Sequence, residues 1–150
     1  MSPLAVRAIA PGVPGVEFGA GPVGLFFFKV TCPTCQLAAP VMRGFEESFP
    51  GHVVAVGQDP MSTLDRFAED FDMGIRVVED ERPYRASAAY HLESVPTLYL
   101  VGDDSRVLDV VGAWERDGFN RVAAGLAERL GQDPVLVSTP DDGLPDFKPG

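Results

Sequence analysis

Apolar residues in this chain recur with two different periods, and their alternation outlines the fold. Apolar segments of strand length occupy residues 24–29, ending in Lys29, and 52–57, opening at His52, with a third short segment at 75–78. Runs of this kind read as strands buried on both faces of a parallel sheet. Two more strands, at 95–101 and 107–111, flank Gly102-Asp103-Asp104-Ser105, which has the composition of a hairpin turn. Between the strands the spacing becomes helical. Leu37, Val41, Phe45 and Phe49 recur every four residues, predicting an amphipathic helix over 32–49 that Pro40 should kink. Pro33 stands near its first position, where a missing N–H costs nothing. Ser62 is the expected N-cap of a second helix with Leu64, Phe67, Ala68 and Phe71 on one face. Residues 83–91 are expected to be helical. Phe119, Val122, Ala123, Leu126 and Leu130 form the stripe of a last helix, stopped at Gly131.

The predicted order is β, α, β, α, β, α, β, β, α: an α/β domain with a mixed central sheet and helices on both faces. Residues 1–131 are assigned to this domain, with room for a short edge strand in 1–10 and a Gly/Pro-rich loop at 11–22. Residues 132–150 carry four prolines and four aspartates and are expected to be a loosely ordered or draped tail.

Charge narrows the partners more than the fold. A net charge of −10 opposes nucleic acid and anionic membrane surfaces, although solubility is the plainer reason for an acidic surface. The longest apolar run falls far short of the roughly 18 residues of a spanning segment, so no membrane insertion is expected. No basic stretch followed by an apolar run opens the chain, which makes the cytoplasm the default compartment.

The candidate chemistry is concentrated at Cys32-Pro33-Thr34-Cys35, which holds the only two cysteines of the 150 residues. A strand feeds directly into this motif and a helix leaves it. The unpaired N–H groups of a helix start favour a thiolate over a thiol, and a second thiol three residues on can close a disulfide across one turn. In a reducing compartment such a pair reads as catalytic rather than structural. A structural zinc site would need two further ligands, and His52 and His91 are not spaced as a pair. Both histidines are expected to be structural, Trp114 and Tyr99 to pack in the core, and Glu79-Asp80-Glu81 to be a solvated loop. Lys29 could raise the thiolate character of Cys32 or simply reach solvent.

Four matched elements give the chain a resemblance to the thioredoxin superfamily, particularly the redoxin branch that includes TlpA-like proteins. A strand leads into Cys32-x-x-Cys35, and a helix proline, Pro40, follows the second cysteine by five residues. Val54-Ala55-Val56-Gly57-Gln58-Asp59 looks like the second strand of that branch, and Tyr90-His91-Leu92-Glu93-Ser94-Val95-Pro96-Thr97 looks like its cis-proline segment. Together they span about residues 22–130. The chain departs from thioredoxins proper where Phe26 stands in place of a buried acid and Thr31 in place of a tryptophan. Lys29, three residues before Cys32, also breaks the Thr-x-x-Cys pattern of peroxiredoxins.

The resemblance implies a thioredoxin fold and a thiol–disulfide oxidoreductase that needs neither metal nor organic cofactor. Cys32 is expected to attack and Cys35 to resolve. Pro33 and Thr34 are expected to tune the pair, while Val95 and a cis Pro96 shape the substrate groove. Expected partners are protein disulfides or dithiols, with a reductase or a low-molecular-weight thiol as electron donor. A thiol-dependent peroxidase and a non-catalytic binding module of the same fold are the alternatives.

Overall fold

The computed structural model describes residues 3–150. Its centre is a five-stranded sheet in the order β3-β2-β1-β4-β5, formed by β1 (Val23–Phe28), β2 (Val53–Gly57), β3 (Arg76–Glu79), β4 (Thr97–Val101) and β5 (Val107–Val111). β1, β2 and β3 run parallel, whereas β4 and β5 are antiparallel additions to the β1 side. Every residue of β1, β2 and β4 is buried, as their unbroken apolar runs require.

Alternate side chains of β1 feed two cores. Phe26 and Phe28 face α1 (Pro33–Ser48), α2 (Met61–Asp70) and, together with β4, α4 (Arg116–Leu130). Leu25 and Phe27 face the short α3 (Arg85–Ala89) and the N-terminal segment, where Ala10 and Val13 are buried against them. Tyr90 and Tyr99 tie that segment down: the Tyr90 hydroxyl donates to the Pro11 carbonyl (2.6 Å), and the Leu4 N–H donates to the Tyr99 hydroxyl (3.2 Å). Residues 7–10 run along β5, where Arg7 N–H donates to Val107 O (2.7 Å) and Val107 N–H to Ala8 O (2.9 Å). This amounts to a single bridge, Ile9 to Arg106, in the place expected for an edge strand, and it covers the outer edge of β5.

Several local expectations are corrected. α1 runs unbroken through Pro40, whose ring lies on the exposed face. α2 starts at Met61 with Pro60 as its N-cap, so Ser62 lies inside the helix; the Met61 N–H is met instead by the Glu79 carboxylate (2.9 Å). α3 has only five residues, preceded by a cis Arg82–Pro83 bond and a left-handed Tyr84. Asp80 is not solvated. It is buried, and its carboxylate accepts from Ala86 N–H (3.2 Å), Ser87 N–H (2.8 Å) and Ser87 Oγ (2.7 Å), pinning the start of α3.

Residues 132–150 lie draped over the α1/α4 side. Arg116 is the anchor, with only 5% of its surface exposed. Its guanidinium donates to Ser138 Oγ (3.1 Å), to the Asp142 carboxylate (3.2 Å), to the Leu144 carbonyl (2.7 Å) and to Asp146. Trp114 Nε1 donates to the Pro145 carbonyl (2.8 Å) while its ring packs on Phe119 at 4.7 Å. A two-stranded ladder, β6 (Trp114–Glu115) with β7 (Phe147–Lys148), completes the attachment.

Arg116→Met keeps the length of the side chain but removes every one of these donors. Hydrogen bonds to charged groups contribute about 1.5–3 kcal/mol each, but the carboxylates can turn to water, so a net loss of roughly 2–4 kcal/mol is expected. Urea unfolding at neutral pH measures it; an unchanged midpoint would mean that the tail adds nothing to the fold.

Candidate active site

The register of the sheet brings the two halves of the motif set together. β1 and β4 are antiparallel with Phe27 opposite Thr97, so the residues leaving β1 run past those entering β4. Lys29 and the turn to Cys32 therefore lie beside Val95-Pro96, although 63 residues separate Cys32 from Val95. The Val95–Pro96 bond is cis, as the resemblance implied, and Pro96 is buried at the entrance of β4.

Cys32 is the N-cap of α1, with extended backbone angles and Pro33 following at the first helical position. Its Sγ accepts from the Cys35 backbone N–H (3.2 Å) and lies 3.4 Å from the Val95 carbonyl, to which the thiol donates. The sulfur thus holds the place that a serine or aspartate oxygen takes at an ordinary helix start. Gln36 closes the turn: its N–H donates to Cys32 O (3.0 Å) and its side-chain amide to Val30 O (3.1 Å).

The two cysteines, both free thiols, differ in access. Cys32 is partly exposed, whereas Cys35 has no exposed surface. Burial pushes the Cys35 thiol well above the ordinary thiol range, and its hydrogen bond with Cys32 pushes the same way, while Lys29 opposes both. Phe26, at the position where thioredoxins carry an acid, is a core ring stacked on Phe28 (5.9 Å between centroids) and edge-on to Phe119 (6.4 Å).

The other expected residues are distributed as follows. Pro33 is exposed on the rim, and Lys29 is exposed at the end of β1. Thr34 is almost wholly buried at 2% exposure, because its hydroxyl donates to the Pro149 carbonyl of the tail (2.6 Å). His52 is a structural contact, with Nδ1 2.8 Å from the Pro22 carbonyl. His91, left-handed just beyond α3, lines a cavity of about 470 Å³ that no sequence pattern announces. That cavity lies at the carboxyl ends of β1 and β2 and also exposes Lys29, Gln58, Tyr84, Glu93 and Val95. Among the described residues, no group of three or more His, Cys, Asp or Glu is placed to hold a metal ion. The arrangement supplies one accessible sulfur, one buried sulfur a turn away, and a backbone edge alongside.

No family model and no curated protein sequence matches the chain. Solved structures do. MTB dsbF, determined in mixed oxidized and reduced forms, is 27% identical with a TM-score of 0.62, the match covering 73% of this chain and 82% of that one. The thioredoxin domain of a thiol-disulfide oxidoreductase from Bacteroides vulgatus is 17% identical with a TM-score of 0.69, over 82% of this chain and 99% of that one. StoA from Bacillus subtilis is 20% identical with a TM-score of 0.54, over 63% and 75%. The fold and the paired cysteines are those of a thiol–disulfide oxidoreductase-like protein. The chain has the thioredoxin fold, as its resemblance to redoxin and TlpA-like proteins implied.

The burial of Cys35 has a consequence for stability. The folded protein holds the thiol proton more tightly than the unfolded chain does, so this contribution is complete below the ordinary thiol value of 9.0 and is lost as pH rises above it. Burial raises Tyr90 and Tyr99 as well, and these act at still higher pH. For the reduced protein, the denaturation midpoint is expected to stay level up to about pH 8 and fall progressively above about pH 9. Cys35→Ala should make the first part of that fall shallower. An identical alkaline profile in the variant would show that Cys35 does not carry the linkage.

Proposed function

We propose that this protein is a dithiol oxidoreductase that exchanges disulfides with polypeptide substrates through Cys32 and Cys35. The observation that carries the reading is the asymmetry of the pair: Cys32 Sγ is partly exposed at the helix N-cap beside the Val95 carbonyl, and Cys35 is sealed one turn behind it. In the reducing direction the Cys32 thiolate attacks a substrate disulfide, forming one S–S bond as the substrate's own breaks. The departing substrate sulfur leaves as a thiolate and takes up a proton. Cys35 then loses its proton and attacks Cys32 Sγ, releasing the second substrate thiol and leaving a Cys32–Cys35 disulfide. A thiol donor or a reductase returns two electrons and two protons to restore the dithiol. In the oxidising direction the same steps run in reverse.

The surroundings support distinct roles for the other residues. Val95 offers its backbone as a pairing edge for an extended substrate segment, with Pro96 setting the direction of that edge. The cavity lined by Lys29, His91 and Glu93 gives room for a substrate side chain next to it. Pro33 and Thr34 shape the turn between the sulfurs. With Phe26 apolar, the proton of Cys35 has no carboxylate acceptor at that position, and the departing substrate thiolate or a water takes it.

Trapping tests the assignment. Cys35→Ser is expected to accumulate mixed disulfides with oxidised protein substrates, resolved on non-reducing gels, whereas Cys32→Ser forms none. Mixed disulfides on Cys32→Ser would reverse the roles. Trapping by neither variant, together with no reduction of insulin disulfides by the full chain, would leave a binding module of the same fold.

A further inference from the structure

The groove beside Cys32 is already occupied by the chain's own residues. After the Arg116 anchor, Phe147 and Lys148 pair antiparallel with Glu115 and Trp114, which leaves the segment extended and directed at the cysteine turn. Pro149 then accepts the hydrogen bond of the Thr34 hydroxyl (2.6 Å) in the middle of the Cys-Pro-Thr-Cys motif. Gly150 lies against the carbonyl of Val95 and the nitrogen of Pro96, so closely that a Cβ there would run into the Val95 carbonyl. A chain segment lying against Val95 next to Cys32 takes the place that a polypeptide substrate would need.

We propose that residues 147–150 are a tethered occupant of the substrate groove, which a polypeptide disulfide must displace before it reaches Cys32. This rests on the reading of Val95 as the substrate-pairing edge. The attachment is graded in a way that suits the role. Residues 138–146 are fixed by a buried arginine with several partners, whereas the last four are held by a two-residue ladder and one side-chain hydrogen bond. Phe147 is 56% exposed, and Pro149 and Gly150 are exposed as well, so lifting the segment uncovers no core. The anchor keeps it close enough to return. Cys32 remains partly exposed with the segment in place, so a small disulfide reaches it where a folded polypeptide does not.

The test compares the full chain with Gly150→Val, whose side chain cannot fit against Val95, and with a chain ending at Asp146, which retains the anchor. Thermal unfolding establishes that both variants are folded. Two pairs of reagents are used on each protein: insulin against 2-hydroxyethyl disulfide as substrates, and a polymer-linked maleimide against iodoacetamide as thiol labels. A single net hydrogen bond shifts an opening equilibrium by on the order of tenfold. Insulin reduction and polymer-maleimide labelling of Cys32 are therefore expected to speed up by about threefold to tenfold in both variants. The rates with the two small reagents are expected to stay within about twofold. Equal polymer-maleimide rates in all three proteins would overturn the proposal, whatever happens with insulin. Faster labelling without insulin reduction by any of the three would uphold the strap and overturn the oxidoreductase reading instead.

Discussion

The antiparallel pairing of β1 with β4 is the constraint on which the site depends. A parallel partner in that position would carry its N-terminal end to the opposite edge of the sheet. Because Phe27 faces Thr97, the exit of β1 meets the entrance of β4, and Cys32 comes to rest with its sulfur 3.4 Å from the Val95 carbonyl. The pairing is held by burial: every residue of both strands is inside, with aromatic side chains on either face of β1. Phe26 and Phe28 stack towards α1 and α4, and Phe27 packs between Tyr90 and Tyr99. Slipping the register by one residue would exchange those two faces, so the core that fixes the fold also fixes the geometry of the thiols.

The same burial separates the roles of two chemically identical side chains. Cys32 caps the helix at the surface, and Cys35 points from the first turn into the core of the α1 face, where it belongs to the apolar cluster. An isolated buried thiol is a small hydrophobe. In the proposed exchange it reacts only because its partner lies one turn away at the rim, where a substrate meets Cys32 first.

The parts of this structure that the sequence made legible are those written in short periods. The apolar runs located all five strands of the main sheet, the four-residue spacing located α1, and Cys-x-x-Cys with Val95-Pro96-Thr97 pointed to one site on two strands. What was not legible depends on side chains far apart in sequence. Arg116 meets partners 22 to 30 residues later, and a Pro/Asp-rich tail gives no periodic sign of such a bond. Asp80 reaches six and seven residues forward to a helix of five residues, too short for a periodic signal. The N-cap expected at Ser62 failed because Glu79, across from the start of α2, supplies the acceptor instead. The Thr34 hydroxyl is engaged by the Pro149 carbonyl of the tail, a contact between residues 115 positions apart that no local pattern announces.

Whether Cys32 and Cys35 function as one two-electron couple is tested most directly by equilibration in glutathione redox buffers. The fraction of each species is read by mass spectrometry after acid quenching and alkylation. A single transition from the dithiol to an internal Cys32–Cys35 disulfide is expected, with any glutathione adduct confined to Cys32 and minor. Stable adducts on both cysteines without an internal disulfide, or thiols that stay reduced in fully oxidised glutathione, would contradict it.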